Sequence, residues 1–260
     1  MRIYGRGFTL TIVFAAITLG LTLKAWSGSA NQGDSQETNE QQQESTPTKD
    51  VPVLDLKRAE ATGSDQLNGR KRRNSLKQDR KIAELPSNVE PLPTNAHTFV
   101  RLPPLPVDQS NAIILGRVTD RRALLTDDRL GIYSEFTITI EEIFKDDQNL
   151  FRVGGVVVAS RPGGAVRFAS GRTQTYTIFN QGYPQKDKVY VLFLKRDDEG
   201  DYSIQTGYEV TGTVVQPLDG RRQLPKNEPD LQFGIYRGVS LESFRNALQK
   251  ALQQHGGRSQ

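Results

Sequence analysis

Between Gly131 and Phe144, Phe136, Ile138 and Ile140 alternate with Thr137, Thr139 and Glu141. This is the period of two of a half-buried β-strand, built from the β-branched and aromatic types that pack well on a pleated surface. A strand of this length bends around a barrel or crosses between two sheets. The adjacent Glu141 and Glu142, followed by Ile143, interrupt the alternation and predict a bulge there. Other segments read as its partners. Ala112 to Thr119 is a first strand with Gly116 in its interior, where glycine marks a bulge or a tight bend. Val153 to Ala159 opens on a glycine pair and forms a third, heavily apolar strand. Pro162-Gly-Gly164 signals a turn, and Ala165 to Ala169 and Thr173 to Ile178 follow it. Val189 to Leu194 is the most continuous apolar run and reads as a central strand. The acidic turn Asp197 to Asp201 leads to Tyr202 to Thr206, and Thr211 to Gln216 is the last strand.

The period then changes. Leu241, Phe244, Leu248 and Leu252, with Ala247 and Ala251, recur at helical spacing, which predicts a helix over 240–254. Ser240 is its cap, Glu242 suits its amino end, and Gly256-Gly257 ends it. The apolar stripe predicts that this helix covers or plugs the sheet.

The chain before these elements has a different character. Arg2 and Arg6 precede an uncharged, mostly apolar run from Phe8 to Leu23, and Lys24 and Trp26 follow it. Residues 1–26 read as an export element, with two versions. A cleavable signal would be cut after Ala30; an uncleaved anchor is favoured by Lys24 and by Trp26, which suits a membrane interface. In both, the positive residues keep the amino end cytoplasmic and send the remainder outside, into the cell envelope. Residues 27–106 read as a linker, because their scattered single apolar residues cannot offset the entropy of ordering. Within it Arg70, Lys71, Arg72 and Arg73 form a basic cluster, either a solvated charge run or a contact for an anionic polymer or lipid head groups. Pro86, Pro91, Pro93, Pro103, Pro104 and Pro106 stiffen its end into a spacer. The domain itself is expected over 107–255.

Composition agrees with a chain that is only partly packed: 35% of residues are hydrophobic and the mean hydropathy is -0.55. The formal charge of +4 is unevenly divided, with a net +3 up to Pro106 and +1 beyond it. A nearly neutral domain argues against a nucleic-acid footprint. The absence of cysteine excludes disulfides, thiolate metal sites, a cysteine nucleophile and a lipid-modified cysteine. The two histidines, His97 and His255, fall outside the predicted strands, which removes a histidine-based triad or zinc cluster from the sheet. Nucleophile-elbow, Walker and dinucleotide-binding motifs are also missing. No cofactor is implied.

Two sets of residues carry what chemistry remains. Tyr133, Tyr176 and Tyr183 with Arg161, Arg167 and Arg172 are candidates for a binding groove, since aromatic and arginine side chains supply most anchoring energy at interfaces. The competing view makes them ordinary barrel residues. The acidic pairs Asp127-Asp128, Glu141-Glu142, Asp146-Asp147 and Asp197-Asp198 fall at turns or strand edges, where solvated carboxylates are the ordinary outcome. Asp197 to Asp201 lacks the alternating oxygens and terminal glutamate of a calcium loop.

The order of features has a resemblance. A Leu115-Gly-Arg-Val118 strand, a long strand ending in Ile140-Glu141, an Ile143-Phe-Lys145 turn, a glycine-pair strand and the Val189–Leu194 strand together resemble uncharacterised exported bacterial domains. More distantly they resemble the OB-like barrel of netrin and tissue-inhibitor-of-metalloprotease modules, over Asn111 to Gln216. The resemblance implies a mainly β chain: a small OB-like barrel, closed or partly open, with a C-terminal amphipathic helix. The inhibitor family's metal-engaging amino-terminal cysteine is absent, so protease inhibition does not follow. The expectation is a non-catalytic binding or interaction module of the bacterial envelope, membrane-tethered or exported, with an envelope protein or polymer as partner. An extracytoplasmic carboxylate-dependent hydrolase and a single-strand nucleic-acid binder are the alternatives.

Overall fold

The computed structural model describes residues 50–63, 75–78, 80–84, 102–178, 180–220 and 232–256. The export element and the basic cluster at 70–73 lie outside them. Among the described residues no helix is long and apolar enough to cross a membrane.

The fold is mainly β. In chain order it comprises β1 (Val53–Asp55), α1 (Leu56–Thr62), β2 (Leu76–Lys77), β3 (Ala112–Leu125), β4 (Gly131–Asp146), β5 (Val156–Pro162), β6 (Gly164–Arg167), β7 (Thr173–Tyr176), β8 (Val189–Arg196), β9 (Tyr202–Thr211), β10 (Val214–Pro217) and α2 (Leu241–Gly256). A short 3-10 turn at Gln232–Tyr236 precedes α2. The larger sheet runs β10-β9-β5-β4-β3-β8, and β8 also pairs with β9, so the sheet is partly ringed. All these pairings are antiparallel except β5 with β9, which meet in parallel at Ala159–Tyr202 and Ser160–Ser203.

The bulge expected at Glu141-Glu142 is present. Leu115 lies opposite Glu142 and Gly116 opposite Ile140, so Glu141 is passed over in the ladder. Gly116 is required at this bend: a Cβ on it would lie 2.5 Å from Ile138 Cγ2 and 3.0 Å from the Thr139 carbonyl oxygen. The run in β8 is central as read, bonded to β3 on one side and β9 on the other.

Alternation along the strands separates two cores. Ile114, Val118, Phe136, Ile138, Ile140, Tyr190, Leu192 and Leu194 point into the ring. The intervening Ile113, Leu115, Val191 and Phe193 point outward and are covered by Phe244 and Leu248 of α2, by Phe233 and by Val107. α2 therefore lies over the outside of the sheet. Ser240 caps it, its Oγ accepting from the Ser243 amide at 3.1 Å.

The linker expectation is corrected in three places. Residues 50–63 form β1 and α1, and β1 pairs in parallel with β6. β2 pairs with β4 at Leu76–Ile132 and Lys77–Gly131. With β6 and β7, β1 makes a second, three-stranded sheet. Leu54, Ala59 and Ile82 are buried there against Val166, Phe168 and the tip of the β3–β4 hairpin at Ala123, Leu125 and Ile132. These apolar residues show no local period because their partners come from strands far along the chain. The described end of the proline stretch, residues 102–106, is also docked: Leu102 and Leu105 pack against the outer core, and Tyr208 Oη donates to the Pro104 carbonyl at 2.7 Å.

Candidate functional site: an uncovered β4–β5 face

The outer surface of the ringed sheet is covered unevenly. Over β3, β8 and β9 it is filled by α2 and the segments beside it. Over Thr137 and Thr139 of β4 it is half-covered, and over Val156 and Val158 of β5 it is open. Thr137 lies opposite Val158 and Thr139 opposite Val156, and Val156 and Val158 are 63% and 47% exposed. Ion pairs border this strip, Arg117 with Glu141 at 3.0 Å and Arg122 with Glu135 at 2.9 Å. Its apolar character continues into the β4–β5 connection, where Leu150 and Val153 are exposed. Four of the six large hydrophobic residues exposed among those described thus fall between 150 and 158. This concentration of exposed apolar residues makes the strip the candidate for an interaction surface.

Local chemistry accounts for the shape of the strip. The Gly154-Gly155 turn, with Gly154 at φ 79° and the Gly155 amide donating to the Arg152 carbonyl, leads the connection into β5. Phe151 folds back over the end of the ring, its centroid 5.0 Å from that of Tyr202. The hairpin β8–β9 is adjacent, because Gln148 bonds Arg196. In that hairpin, carboxylate oxygens of Asp197, Glu199 and Asp201 come within 4.8 Å of one another. Asp197 Oδ1 accepts from the amides of Glu199 and Asp201 at 3.0 and 2.9 Å, so this carboxylate braces its own turn.

The six residues singled out from sequence do not form one groove. Tyr133, Arg161 and Tyr183 are interior. Arg161 pairs with Asp219, its Nη1 and Nη2 reaching Oδ1 and Oδ2 at 2.9 and 2.6 Å, and it also donates to the carbonyls of Gly182 and Gln205. Asp219 in turn accepts from the Gly182 amide and the Thr206 hydroxyl at 2.9 and 2.8 Å. Every strong bonding direction of this pair is used inside the protein, which makes it a brace between β5, β9 and the 180–184 segment. Tyr183 donates to the Pro162 carbonyl at 2.9 Å, and burial pushes its phenol up from the usual range.

Arg167, Arg172 and Tyr176 belong to the smaller sheet and its turn. Arg167 is exposed and 4.0 Å from Asp55. Tyr176 donates to Gln174 Oε1 at 2.9 Å, its phenol also raised by burial. Arg172 follows the Gly171 turn, and its carbonyl accepts from the Phe168 amide. Sequence reasoning missed the open strip, because a run such as Val156-Val-Val158 reads as apolar whether its outer face is covered or bare. The glycine pair before it was the available signal of a tight, exposed reversal. No family model, curated protein or solved structure matches this chain.

Proposed function

We propose that this chain is an interaction module of the bacterial envelope, tethered or exported by residues 1–26, whose ringed sheet is an OB-like barrel. The pairing order supports the barrel reading. Taken as strands one to five, β3, β4, β5, β8 and β9 pair in the order 1-2-3-5-4 and return to 1, with the third and fifth parallel. An OB barrel presents ligands to its second and third strands. Here those strands are β4 and β5, and the strip on them, the exposed Val156 and Val158 beside the half-buried Thr137 and Thr139, carries the functional reading.

The character of the strip favours a protein over a nucleic acid. Single-strand binders stack bases on exposed aromatic rings, whereas the large hydrophobic residues exposed among those described are valine, leucine and isoleucine. A photoreactive amino acid at Val156 of the full chain, irradiated in envelope extract, is expected to give a discrete adduct that the same probe at Lys250 of α2 does not. Equal, diffuse labelling at both positions would overturn the reading.

A further inference from the structure

We propose that the partner of the β4–β5 strip is a cationic segment of another protein, whose aliphatic side chains cover Val156 and Val158 while its lysine or arginine residues meet the acidic turn Asp197 to Asp201. This rests on the reading of the strip as an interaction surface and names the chemistry of what it takes. The sheet sets the two features side by side. β5 and β9 run parallel where Ala159 meets Tyr202 and Ser160 meets Ser203. Residues preceding Tyr202 therefore lie at the same end as residues preceding Ala159, which puts the turn next to Val156–Val158. The bond between Arg196 and Gln148 ties the same hairpin to the β4–β5 connection, where Leu150 and Val153 are exposed.

Four of the five residues from Asp197 to Asp201 are acidic, and Asp198 and Glu199 are exposed. The carboxylates of Asp197, Glu199 and Asp201 are held within 4.8 Å of one another, a like-charge crowding that a cationic group relieves. The cations bordering the strip are engaged. Arg117 and Arg122 pair with Glu141 and Glu135, and Arg196 donates to Gln148 and to the Gly200 carbonyl. Exposed Arg152 and Lys195 offset only part of the turn's charge. The turn repels phosphate, which disfavours a nucleic acid or an anionic lipid surface. A cationic segment with aliphatic residues answers both features: burial of the valines supplies affinity, and the turn selects the partner and speeds its approach.

The test measures binding rates of the full chain in mild detergent with two synthetic peptides, one alternating lysine with valine and one alternating glutamate with valine, at low and high salt. The chain carries a net charge of +4, so it has no overall attraction for a cationic peptide and any preference is local. The lysine peptide is expected to bind and the glutamate peptide not to. Asp198→Asn with Glu199→Gln, which leaves Asp197 to hold the turn, is expected to slow association of the lysine peptide about tenfold at low salt and to flatten its salt dependence. Val156→Thr with Val158→Thr keeps the β-branching and is expected to speed dissociation. Both variants should keep the wild-type melting temperature, because all four residues are exposed. Equal binding of the two peptides overturns the inference, as does a lysine peptide that fails to bind up to about 1 mM or an acidic-turn variant that binds like the wild type. The Val156 photoprobe separates this inference from the reading beneath it. If its discrete adduct from envelope extract is undiminished by the Asp198→Asn and Glu199→Gln changes, the interaction surface stands and the cationic partner falls. An adduct that these changes abolish supports both, and equal, diffuse labelling at Val156 and Lys250 removes both.

Discussion

Arg161 and Asp219 are separated by 58 residues and meet as a bidentate pair with side chains 2% and 3% exposed. Two buried charges carry a large desolvation cost, offset here because further backbone and hydroxyl partners complete the network. Removing one member leaves the other charged and uncompensated. Asp219→Ala or Arg161→Ala is expected to cost about 3–5 kcal/mol, read from urea unfolding. The double replacement by apolar residues of similar volume should cost less than the sum. Loss of binding without loss of stability would show that Arg161 faces a ligand instead.

A chain beginning at Pro106 is expected to be less stable than one beginning at Asp50. The shorter chain lacks Leu54, Ala59 and Ile82, and so bares Val166, Phe168 and the tip of the long hairpin. Thermal melting and dye binding compare the two. Equal melting temperatures would show that the first sheet edge contributes nothing.

Leu248→Ala should cost about 2–5 kcal/mol and Phe244→Ala about 3–5 kcal/mol, because both side chains are fully buried between α2 and the outer face of the sheet. Gln249→Ala on the exposed side of the same helix is the control, and its melting temperature should hardly move.

Stability is expected to fall above about pH 10, the ordinary tyrosine range. The Tyr183 and Tyr208 phenols are both raised by burial. Each is an acid whose neutral form is favoured in the fold, so the folded state holds its proton where the unfolded state has lost it. The contribution is complete below the unfolded value and disappears as pH rises beyond it. Tyr183→Phe should flatten the alkaline limb of a stability profile. A limb that is unchanged in this variant and in Tyr208→Phe would assign alkaline unfolding to other groups.

Local pattern carried much of the architecture. Alternation at Phe136, Ile138 and Ile140 marked β4, the paired glutamates marked its bulge, and the stripe of Leu241, Phe244 and Leu248 marked α2. These signals survive in a single sequence because the side-chain period of a strand or helix is set by backbone geometry alone. Leu54 and Ile82 had no such period. Their burial depends on partners more than 40 residues away, and no window along the chain contains both sides of the contact.

By itself the sequence determined the mainly β character, the final helix and the absence of cysteine chemistry, each a property of residue type and spacing. Only the tertiary structure decided which apolar faces were covered. β3 and β5 are both rich in aliphatic residues, yet α2 lies over Ile113 and Leu115 while Val156 and Val158 remain bare. It also placed Asp219 against Arg161, turning a candidate ligand contact into a brace. Side-chain type sets what burial is worth. Which side chains are buried depends on the path of the chain in space.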